Sequence, residues 1–314
     1  MTGGTGLVGY HIARALLRHG HGVRLLARSP EKARRLFGGD PEVVQGDVTD
    51  PESLPPAFRG CEWVFHAAGL PEQWLPDPAR FTEVNVLGTA NVVAACREVG
   101  VVRLVHVSTI DVFRAGEGES FDEDDLDPEP KGTPYERSKQ EADRLVASAV
   151  AEGMNAVLTH PAAVYGPGPA GSPGVNQFLV DVRDGKVPAV PPGGFPVVFG
   201  PDLGEGHVQA AARAERGARF IFSDRYASTL ELARLVAEQT ACRVPPRMPR
   251  WLAHAVSAAT EAGARLVRKP PLLPAGQLHF LLWGAQPSSD RARRELGWRT
   301  TPLAEGIAQT LAAT

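Results

Sequence analysis

Short apolar segments alternate with helical patterns through the first half of the chain. A pattern with helical periodicity at 84–99 ends at Gly100, a residue type that commonly terminates helices. Such alternation places the strands in one parallel sheet with helices on both faces. The sequence therefore predicts an α/β fold with a doubly wound parallel sheet. The predicted strands are residues 22–27, 42–45, 63–66, 104–107 and 156–159.

A glycine-rich stretch precedes the first of these strands. Gly3, Gly6 and Gly9 have the spacing Gly-x-x-Gly-x-x-Gly, and the residues that follow, 11–18, have helical periodicity. Glycines let backbone amides and a helix N-terminus approach a pyrophosphate, as in the Rossmann dinucleotide-binding unit. We therefore expect a cofactor to lie against Gly3, Thr5, Gly6, Leu7, Val8 and Gly9.

The strand that should precede this loop is nearly missing. A βαβ unit begins with a buried strand of about five or six residues, but only Met1 and Thr2 precede Gly3. One hypothesis is that a valine codon that can also initiate translation was read as Met1, so that the strand encoded upstream of it was dropped. The mass of the protein from its native source tests this. If the chain is complete, we expect a weakened sheet and poor cofactor binding.

The end of the strand at 22–27 bears on the choice of cofactor. NAD-binding proteins place an acidic residue there to hold the ribose 2′-hydroxyl, whereas this chain has Ala27. Arg28 follows, and Arg24 lies on the same strand. Because a guanidinium pairs well with a 2′-phosphate, the sequence favours NADP as the cofactor, and NAD remains the alternative. Arg28 is the residue expected to bind the 2′-phosphate.

A tyrosine and a lysine stand four residues apart in the segment Thr133-Pro134-Tyr135-Glu136-Arg137-Ser138-Lys139. Thr133 and Glu136 have capping-box spacing, so a helix is predicted to begin here, with Tyr135 and Lys139 on one face. The ammonium is expected to lower the pKa of the phenol. Tyr135 could then exchange a proton with a substrate oxygen near neutral pH.

Ser108 and Thr109 follow the predicted strand at 104–107. Ligands of such sheets bind at the carboxyl ends of the strands. We therefore expect these hydroxyls and the glycine loop to open on one crevice.

The composition changes after Tyr165, where residues 166–206 become rich in proline and glycine. This segment is predicted to form irregular loops around one helix near 175–184. Two domains are predicted: residues 1–165 bind the dinucleotide, and residues 166–314 mostly form a smaller substrate-binding lobe, with a strand near 219–222 returning to the sheet. Helices are predicted at 229–239 and 251–268.

Charge and cysteine content exclude several functional classes. The net charge is −3, so no basic field calls for nucleic acid or an anionic membrane. Three widely spaced cysteines fit neither a disulfide framework nor a zinc site, and no stretch approaches the roughly 20 apolar residues of a membrane span. His66 has no second ligand at a suitable spacing, so it is expected to satisfy backbone groups near the cofactor rather than to bind a metal. A soluble cytoplasmic protein without metal, acting on a small molecule, is predicted.

Taken together, these motifs resemble the extended short-chain dehydrogenase/reductase family, the NAD-dependent epimerase/dehydratase group. The resemblance runs through most of the chain and is nearest to the dihydroflavonol 4-reductase and 3β-hydroxysteroid dehydrogenase branch. Further matching motifs are Gly46-Asp47-Val48, His66-Ala67-Ala68-Gly69, Asn85-Val86-Leu87-Gly88-Thr89, Pro161-Ala162-Ala163-Val164-Tyr165-Gly166-Pro167 and Arg294-Glu295-Leu296-Gly297-Trp298.

The resemblance implies roles for individual residues. Thr109, rather than Ser108, would touch the substrate oxygen, Tyr135 would exchange the proton, and Lys139 would also bind the nicotinamide ribose. A homodimer is a further expectation from the family. The remaining implied cofactor contacts are Asp47 and Val48 at the adenine, Ala67, Ala68 and Asn85 along the dinucleotide, and Pro161 to Val164 beside the nicotinamide.

Two departures from the family pattern narrow the activity. Dehydratases of the family usually carry Asp-Glu after the catalytic hydroxyl, but this chain has Ile110-Asp111, so dehydration is not expected. His160 stands where many members that act on sugar nucleotides have arginine. This difference weakens the expectation of a nucleotide-diphosphate substrate.

Three functional hypotheses follow from the sequence. The first is an NAD(P)-dependent oxidoreductase that reduces a ketone or oxidises a secondary alcohol. The second is a nucleotide-sugar epimerase with tightly bound NAD, and the third is a non-catalytic dinucleotide-binding protein. The segments 70–76 and 191–196 are expected to flank the pocket, and their apolar character favours a hydrophobic ketone over a sugar.

Overall fold

A computed structural model describes residues 1–169, 174–267 and 270–314, and its centre is a parallel sheet. Two strands, β1 (Arg24–Ala27) and β2 (Glu42–Gln45), form one side of the sheet. The other side consists of β3 (Trp63–His66), β4 (Arg103–Val107), β6 (Ala156–Pro161) and β9 (Arg219–Phe222). These strands lie in the order β3–β4–β6–β9, and every neighbouring pair is parallel.

Met1 and Thr2 lie where the two sides of the sheet meet. Thr2 pairs in parallel with both Leu26 and His66, and its side chain is fully buried. The Thr2 amide donates to the Phe65 carbonyl at 2.9 Å, and the Leu26 amide donates to the Met1 carbonyl at 2.8 Å. These backbone contacts of Met1 and Thr2 join β1 to β3, and the truncation of the first strand stays a prediction.

Helices cover both faces of the sheet, which confirms the predicted fold class. On one face, α1 (Leu7–Arg18) packs against α8 (Gly200–Arg213) around the buried side chains of Ile12 and Val208. On the other face, α3 (Leu54–Phe58), α5 (Gly88–Val99) and α6 (Pro134–Ala151) enclose an apolar core. Gly100 ends α5 in the left-handed conformation, as predicted. Short elements complete this region: α2 (Pro30–Phe37), α4 (Ala79–Phe81) and a wider helical turn, Thr82–Leu87.

The prediction of irregular loops at 166–206 is wrong over its second half. Gly194–Phe199 forms a strand, β8, and α8 begins directly after it. Glycines in this segment serve packing: a Cβ on Gly204 would lie 2.4 Å from the backbone oxygen of His11. The glycine therefore lets α8 approach α1, which the sequence pattern does not reveal. Residues 170–173 of the same segment lie outside the described residues.

The remaining elements surround a second apolar core beside the main sheet. β7 (Ala163–Tyr165), β8 and β10 (Arg225–Ser228) form a small mixed sheet, and β5 (Ser120–Phe121) pairs with β11 (Gln286–Pro287). The predicted helices at 175–184, 229–239 and 251–268 appear as α7, α9 and α10, with Arg268 outside the described residues. The helices are α7 (Val175–Arg183), α9 (Thr229–Thr240), α10 (Arg250–Val267), α11 (Ala275–Trp283) and α12 (Leu303–Ala312). The domain division at residue 165 stays a prediction. Within the described ranges, no helix is long and apolar enough to cross a bilayer.

Candidate active site

The glycine loop is held by close backbone contacts. Gly3 has a φ of 71°, and a Cβ there would lie 2.4 Å from the backbone of Ala67. A Cβ on Gly9 would lie 2.2 Å from the Gly3 oxygen, whereas one on Gly6 would meet nothing closer than 3.5 Å. Gly3 and Gly9 are thus required by the fold itself. Gly6 is required only if a ligand approaches it.

The arrangement fits a dinucleotide. Gly6 caps the N-terminus of α1 without a side-chain hydrogen bond, and the first turn of α1 carries no acidic residue. Free amides at a helix N-terminus, together with the helix dipole, attract an anion such as a pyrophosphate. The loop opens into a cavity of about 700 Å³. All six loop residues predicted to bind the cofactor line this cavity, as do Ala67, Ala68, Pro161 and Val164.

Helix α6 begins as predicted and carries Tyr135 and Lys139 to the same cavity. The Glu136 amide donates to Thr133 Oγ1 at 3.1 Å, and the Thr133 amide donates to the Glu136 carboxylate at 2.9 Å. This capping box begins the helix so that Tyr135 occupies its first turn. The Tyr135 ring packs edge-on against Phe81, with ring centroids 6.1 Å apart.

Lys139 is buried at the carboxyl end of β4. Its Nζ donates to the Val107 carbonyl at 2.8 Å. Burial lowers the pKa of Lys139 to about 8, although the carboxylates of Asp143 and Asp111 act in the opposite direction. An ammonium has three donors, so two remain for other partners in the cavity.

The expectation that Lys139 lowers the pKa of Tyr135 is wrong. Burial raises the pKa of the phenol well above its ordinary value, and the nearby Asp111 carboxylate adds to the shift. A hydrogen bond with Thr109 has the opposite but smaller effect. The spacing of the two residues indicated a nearby cation, but it did not indicate that burial of the phenol has the larger effect on its pKa. Tyr135 is consequently protonated at neutral pH.

Thr109 joins the site through a short turn. Its Oγ1 accepts a hydrogen bond from the Asp111 amide at 3.3 Å and caps the turn Ile110–Val112. The same Oγ1 lies 3.1 Å from Asp111 Oδ2. Thr109, Asp111 and Tyr135 all line the cavity, and burial raises the pKa of Asp111 to about 7. Ser108 lines it too. The sequence singled out Asp111 only as a departure from the dehydratases and missed this environment.

The basic residues near the end of β1 have different environments. Arg28 is exposed directly after the strand, and Lys32 on α2 lines the cavity. Arg24 lies at the opposite end of β1, where it binds Glu42 at 2.7 Å and the Arg59 carbonyl at 2.8 Å. Arg24 is therefore engaged at the end of β1 opposite Arg28, the expected ligand of a 2′-phosphate. The sequence did not identify Lys32.

Three further predicted cofactor residues lie outside the cavity wall. Asp47 accepts from the Thr49 amide at 3.0 Å through its carboxylate, and Val48 is buried against Gly88. Asn85 ties the chain at Leu70 to α6: its Oδ1 accepts from the Leu70 amide at 2.8 Å, and its Nδ2 donates to Ser138 Oγ at 2.9 Å. These contacts shape the walls around the cavity. Binding of the dinucleotide by these three residues stays a prediction.

Two buried histidines have structural partners. His66 lies between the hydroxyls of Thr2 and Thr89, at 2.8 and 2.9 Å, rather than against backbone groups as expected. His160 contacts Asp143 at 2.8 Å, and Asp143 also binds Arg219 at 2.7 Å. His160 thus faces a buried network of the fold. Among the described residues, no cluster of side chains could hold a metal ion.

The substrate side of the cavity is mainly apolar. Residues 70–74 line it, as predicted, including Leu70 and Trp74. From the segment 191–196, only Phe195 reaches it. The sequence missed the contribution of the segment around α11, where no motif marks Pro270, Pro271, Pro274, Gln277 and Phe280 as cavity residues.

Comparison with known proteins agrees with this architecture. The family model described as "NAD dependent epimerase/dehydratase family" matches residues 1–218. The chain is 27% identical to sterol demethylase protein B of Methylococcus capsulatus, with 99% of this chain and 96% of the relative covered. It is 30% identical to a 4-hydroxy-2-methyl-3-oxo-4-farnesyl-3,4-dihydroquinoline-1-oxide ketoreductase of Stigmatella aurantiaca, over 95% of this chain and 90% of the relative.

A solved relative shares the fold over the whole chain. The UDP-glucose 4-epimerase of Thermus thermophilus, in complex with NAD, is 26% identical and superposes with a TM-score of 0.80. The match covers 99% of this chain and 97% of the epimerase. The family model matches residues 1–218, and the glycine loop and the doubly wound sheet agree with it. The chain belongs to the NAD-dependent epimerase/dehydratase family of extended short-chain dehydrogenases/reductases and is an NAD(P)-dependent oxidoreductase.

Proposed function

We propose that the protein is an NADP-dependent reductase of hydrophobic ketones that also oxidises the corresponding secondary alcohols. The observation that carries this proposal is the convergence of Thr109, Tyr135 and Lys139 on one cavity with the glycine loop. The ketoreductase from Stigmatella aurantiaca, whose name describes an apolar ketone substrate, supports the same reaction class.

The proposed chemistry uses few residues of the chain. The nicotinamide, when bound, supplies or accepts the hydride. Tyr135 gives its proton to the ketone oxygen during reduction and recovers one during oxidation, while Thr109 hydrogen-bonds the same oxygen. The raised pKa of Tyr135 keeps it in the protonated form that reduction needs. The Lys139 ammonium offsets the phenolate charge that follows, and its remaining donors suit the nicotinamide ribose.

The walls of the cavity favour an apolar substrate. Leu70, Trp74, Phe195 and Phe280 all line the cavity. Burying apolar substrate surface against them contributes roughly 25 cal/mol per Å². Lys32 and Lys139 are the two basic residues of the described lining, and the proposal assigns both to the cofactor, whereas a sugar nucleotide would require a further partner for its diphosphate.

The preference for NADP rests on the end of β1. Ala27 replaces the acid that would bind a ribose 2′-hydroxyl, and two cations follow it, the exposed Arg28 and the cavity residue Lys32. Ser29 begins α2 by accepting a hydrogen bond from the Lys32 amide at 3.3 Å. These two cations are the proposed partners of a 2′-phosphate.

Fluorescence titration with NADPH and NADH, combined with a ketone assay, tests the proposal. We expect tighter binding of exchangeable NADPH and turnover of apolar ketones such as benzylacetone. Tyr135→Phe should lower turnover by about 10²–10⁴-fold and leave NADPH affinity nearly unchanged. Tyr10→Phe is the matched control, because Tyr10 is a tyrosine of α1 that does not line the cavity. Nearly normal turnover by Tyr135→Phe would contradict the assigned role.

A second candidate is a nucleotide-sugar epimerase that retains NAD throughout its reaction. The likeness to the Thermus thermophilus epimerase with bound NAD favours it. Release of stoichiometric NAD from the purified, denatured protein, without exchange against NADPH, would support the epimerase over the reductase. A dinucleotide-binding protein without catalysis is distinguished from both by the absence of any turnover that depends on Tyr135.

A further inference from the structure

Asp111 is a buried carboxyl group in the cavity wall that the proposed reaction does not use. Asp111 is 6% exposed and lies two residues after Thr109, in the turn Ile110–Val112. Asp111 Oδ2 lies 3.1 Å from Thr109 Oγ1, and Oδ1 has no hydrogen-bond partner among the described residues. A buried polar atom without a partner costs free energy, so its retention beside reacting groups calls for an explanation.

The hydrogen bonds of Thr109 leave one position for another partner. A hydroxyl has one donor and two acceptor sites. The Asp111 amide occupies one acceptor site of Thr109 Oγ1, at 3.3 Å. Asp111 Oδ2 takes a second position. The third faces Tyr135, with which Thr109 also forms a hydrogen bond, and in the proposed reaction it faces the substrate oxygen.

Whether Asp111 is protonated decides whether the third hydrogen-bonding position of Thr109 Oγ1 is a donor or an acceptor. An ionised Asp111 can only accept, so Thr109 donates its single proton to Oδ2 and keeps an acceptor site towards the cavity. A protonated Asp111 can donate to Thr109 instead. Both acceptor sites of Thr109 are then filled, and its proton points to the cavity.

We infer that the protonation state of Asp111 sets the direction of the hydrogen bond that Thr109 offers to the substrate oxygen. The inference rests on the proposed function. A protonated Asp111 makes Thr109 a donor, which suits the ketone oxygen of a reduction. An ionised Asp111 accepts the hydrogen bond of the Thr109 hydroxyl and removes this donor, and because the single proton of the alcohol goes to Tyr135, the loss slows reduction and oxidation alike. Asp111 itself transfers no proton in either direction.

The surroundings of Asp111 let it titrate near neutral pH. Burial is the largest influence and, with the Glu136 carboxylate, raises its pKa to about 7, while the bond from Thr109 and the cations of Lys131 and Lys139 lower it. Lys131 is paired with Asp127 at 2.7 Å and also donates to the Phe113 carbonyl. The other nearby groups are Tyr135, whose phenol stays neutral, and Glu72, which lines the cavity and acts on the Tyr135 pKa.

Activity as a function of pH tests the inference, with benzylacetone and NADPH for reduction and the matching alcohol and NADP⁺ for oxidation. In the wild type, reductive kcat/KM should fall as the pH rises through about 7, to a plateau roughly a hundredfold lower, because one donor to the oxygen is lost. Oxidative kcat/KM, which rises with pH because oxidation releases a proton, should show the same loss as a flattening of that rise above about pH 7. Asp111→Asn, which keeps the shape but cannot ionise, should lose both transitions.

Glu72→Gln is the control for a general effect of charge on Tyr135. It removes another carboxylate near the phenol and should retain both transitions. If Glu72→Gln abolishes the transitions while Asp111→Asn keeps them, the inference is overturned.

Infrared spectroscopy follows the Asp111 proton without substrate. The carbonyl stretch of a protonated carboxylic acid should disappear from the wild type near pH 7 and be absent from Asp111→Asn. In Thr109→Val, which removes the bond that stabilises the carboxylate, the midpoint should move to higher pH. Absence of this band from the wild type overturns the inference even where Tyr135-dependent turnover supports the reductase. Turnover insensitive to Tyr135→Phe instead overturns the proposed function.

Discussion

Lys139 Nζ donates a hydrogen bond to the Val107 carbonyl at 2.8 Å, which ties helix α6 to the carboxyl end of β4. The contact fixes the ammonium beside the residues that follow β4, Ser108 and Thr109. Two distant segments of the chain thereby contribute to one site. The lysine that the sequence assigned to the tyrosine is thus also bound to the sheet.

Lys139→Met should lower ketone turnover by about 10²–10⁴-fold, because the phenolate and the ribose lose their cation. The fold should survive, since methionine fills a buried site without the cost of desolvating a charge. Steady-state kinetics and thermal unfolding measure the two effects. A variant that unfolds together with its loss of activity would contradict the assigned role.

Alanine at two glycines of the loop separates folding from cofactor binding. Gly9→Ala places a Cβ 2.2 Å from the Gly3 oxygen and should destabilise the protein by about 1–3 kcal/mol. Gly6→Ala has 3.5 Å of clearance, so its stability should be nearly that of the wild type while NADPH binding weakens. Chemical denaturation and fluorescence titration check the pair. Equal loss of stability in both variants would show that the distance from the added Cβ to the Gly3 oxygen does not determine the loss.

Arg28→Ala and Lys32→Ala should each weaken NADPH binding by roughly tenfold or more, because a charge-assisted hydrogen bond to a phosphate is worth about 1.5–3 kcal/mol. NADH affinity should change little. Arg34→Ala, which removes an exposed arginine of α2 that does not line the cavity, is the control. If the affinities for NADPH and NADH fall equally, neither cation binds the 2′-phosphate.

Mild acid should destabilise the protein through its buried histidines. Burial lowers the pKa of His11 and His66 to about 3 and that of His207 to about 4. Between about pH 6.5 and 4, the unfolded chain therefore binds more protons at these residues than the folded one, and stability falls as the pH falls. Each histidine contributes at most about 1.4 kcal/mol per pH unit.

Asp111 opposes this trend, because its raised pKa makes the folded chain bind its proton first. Burial also raises the pKa of Glu123, Asp202 and Asp224 and lowers the pKa of His106 and His160. The five buried histidines outweigh the four carboxyl groups, so the net change remains destabilising. The free energy of unfolding, measured in urea from pH 7.5 to 4.5, should decrease steadily. A constant value over that range would show that the histidines are not held neutral.

The buried network of Asp143, His160 and Arg219 should carry more stability than any surface ion pair. Asp143→Ala leaves Arg219 without its carboxylate and should cost about 3–5 kcal/mol. Glu152→Ala breaks the exposed pair with Arg97 and should cost less than about 1 kcal/mol. Urea denaturation compares the two variants, and similar losses would contradict a special role for burial.

Local patterns were sufficient to predict much of this fold. Apolar runs located the strands at 42–45 and 63–66, and the capping box located the start of α6, because these signals depend on neighbouring residues. The glycine at position 204 was misread as a loop residue. Its role is a close contact with α1, and no local pattern reports a contact between distant helices.

The sequence by itself determined the parallel sheet, the glycine loop and the presence of a tyrosine and a lysine on one helical face. It also determined that no basic field or cysteine framework exists. Only the tertiary structure decided the electrostatics: it buried Tyr135 and Asp111 together, directed Lys139 to Val107 and placed Arg24 away from the glycine loop. Charge and pKa depend on solvent exclusion by segments far apart in the chain, which spacing along a sequence cannot express.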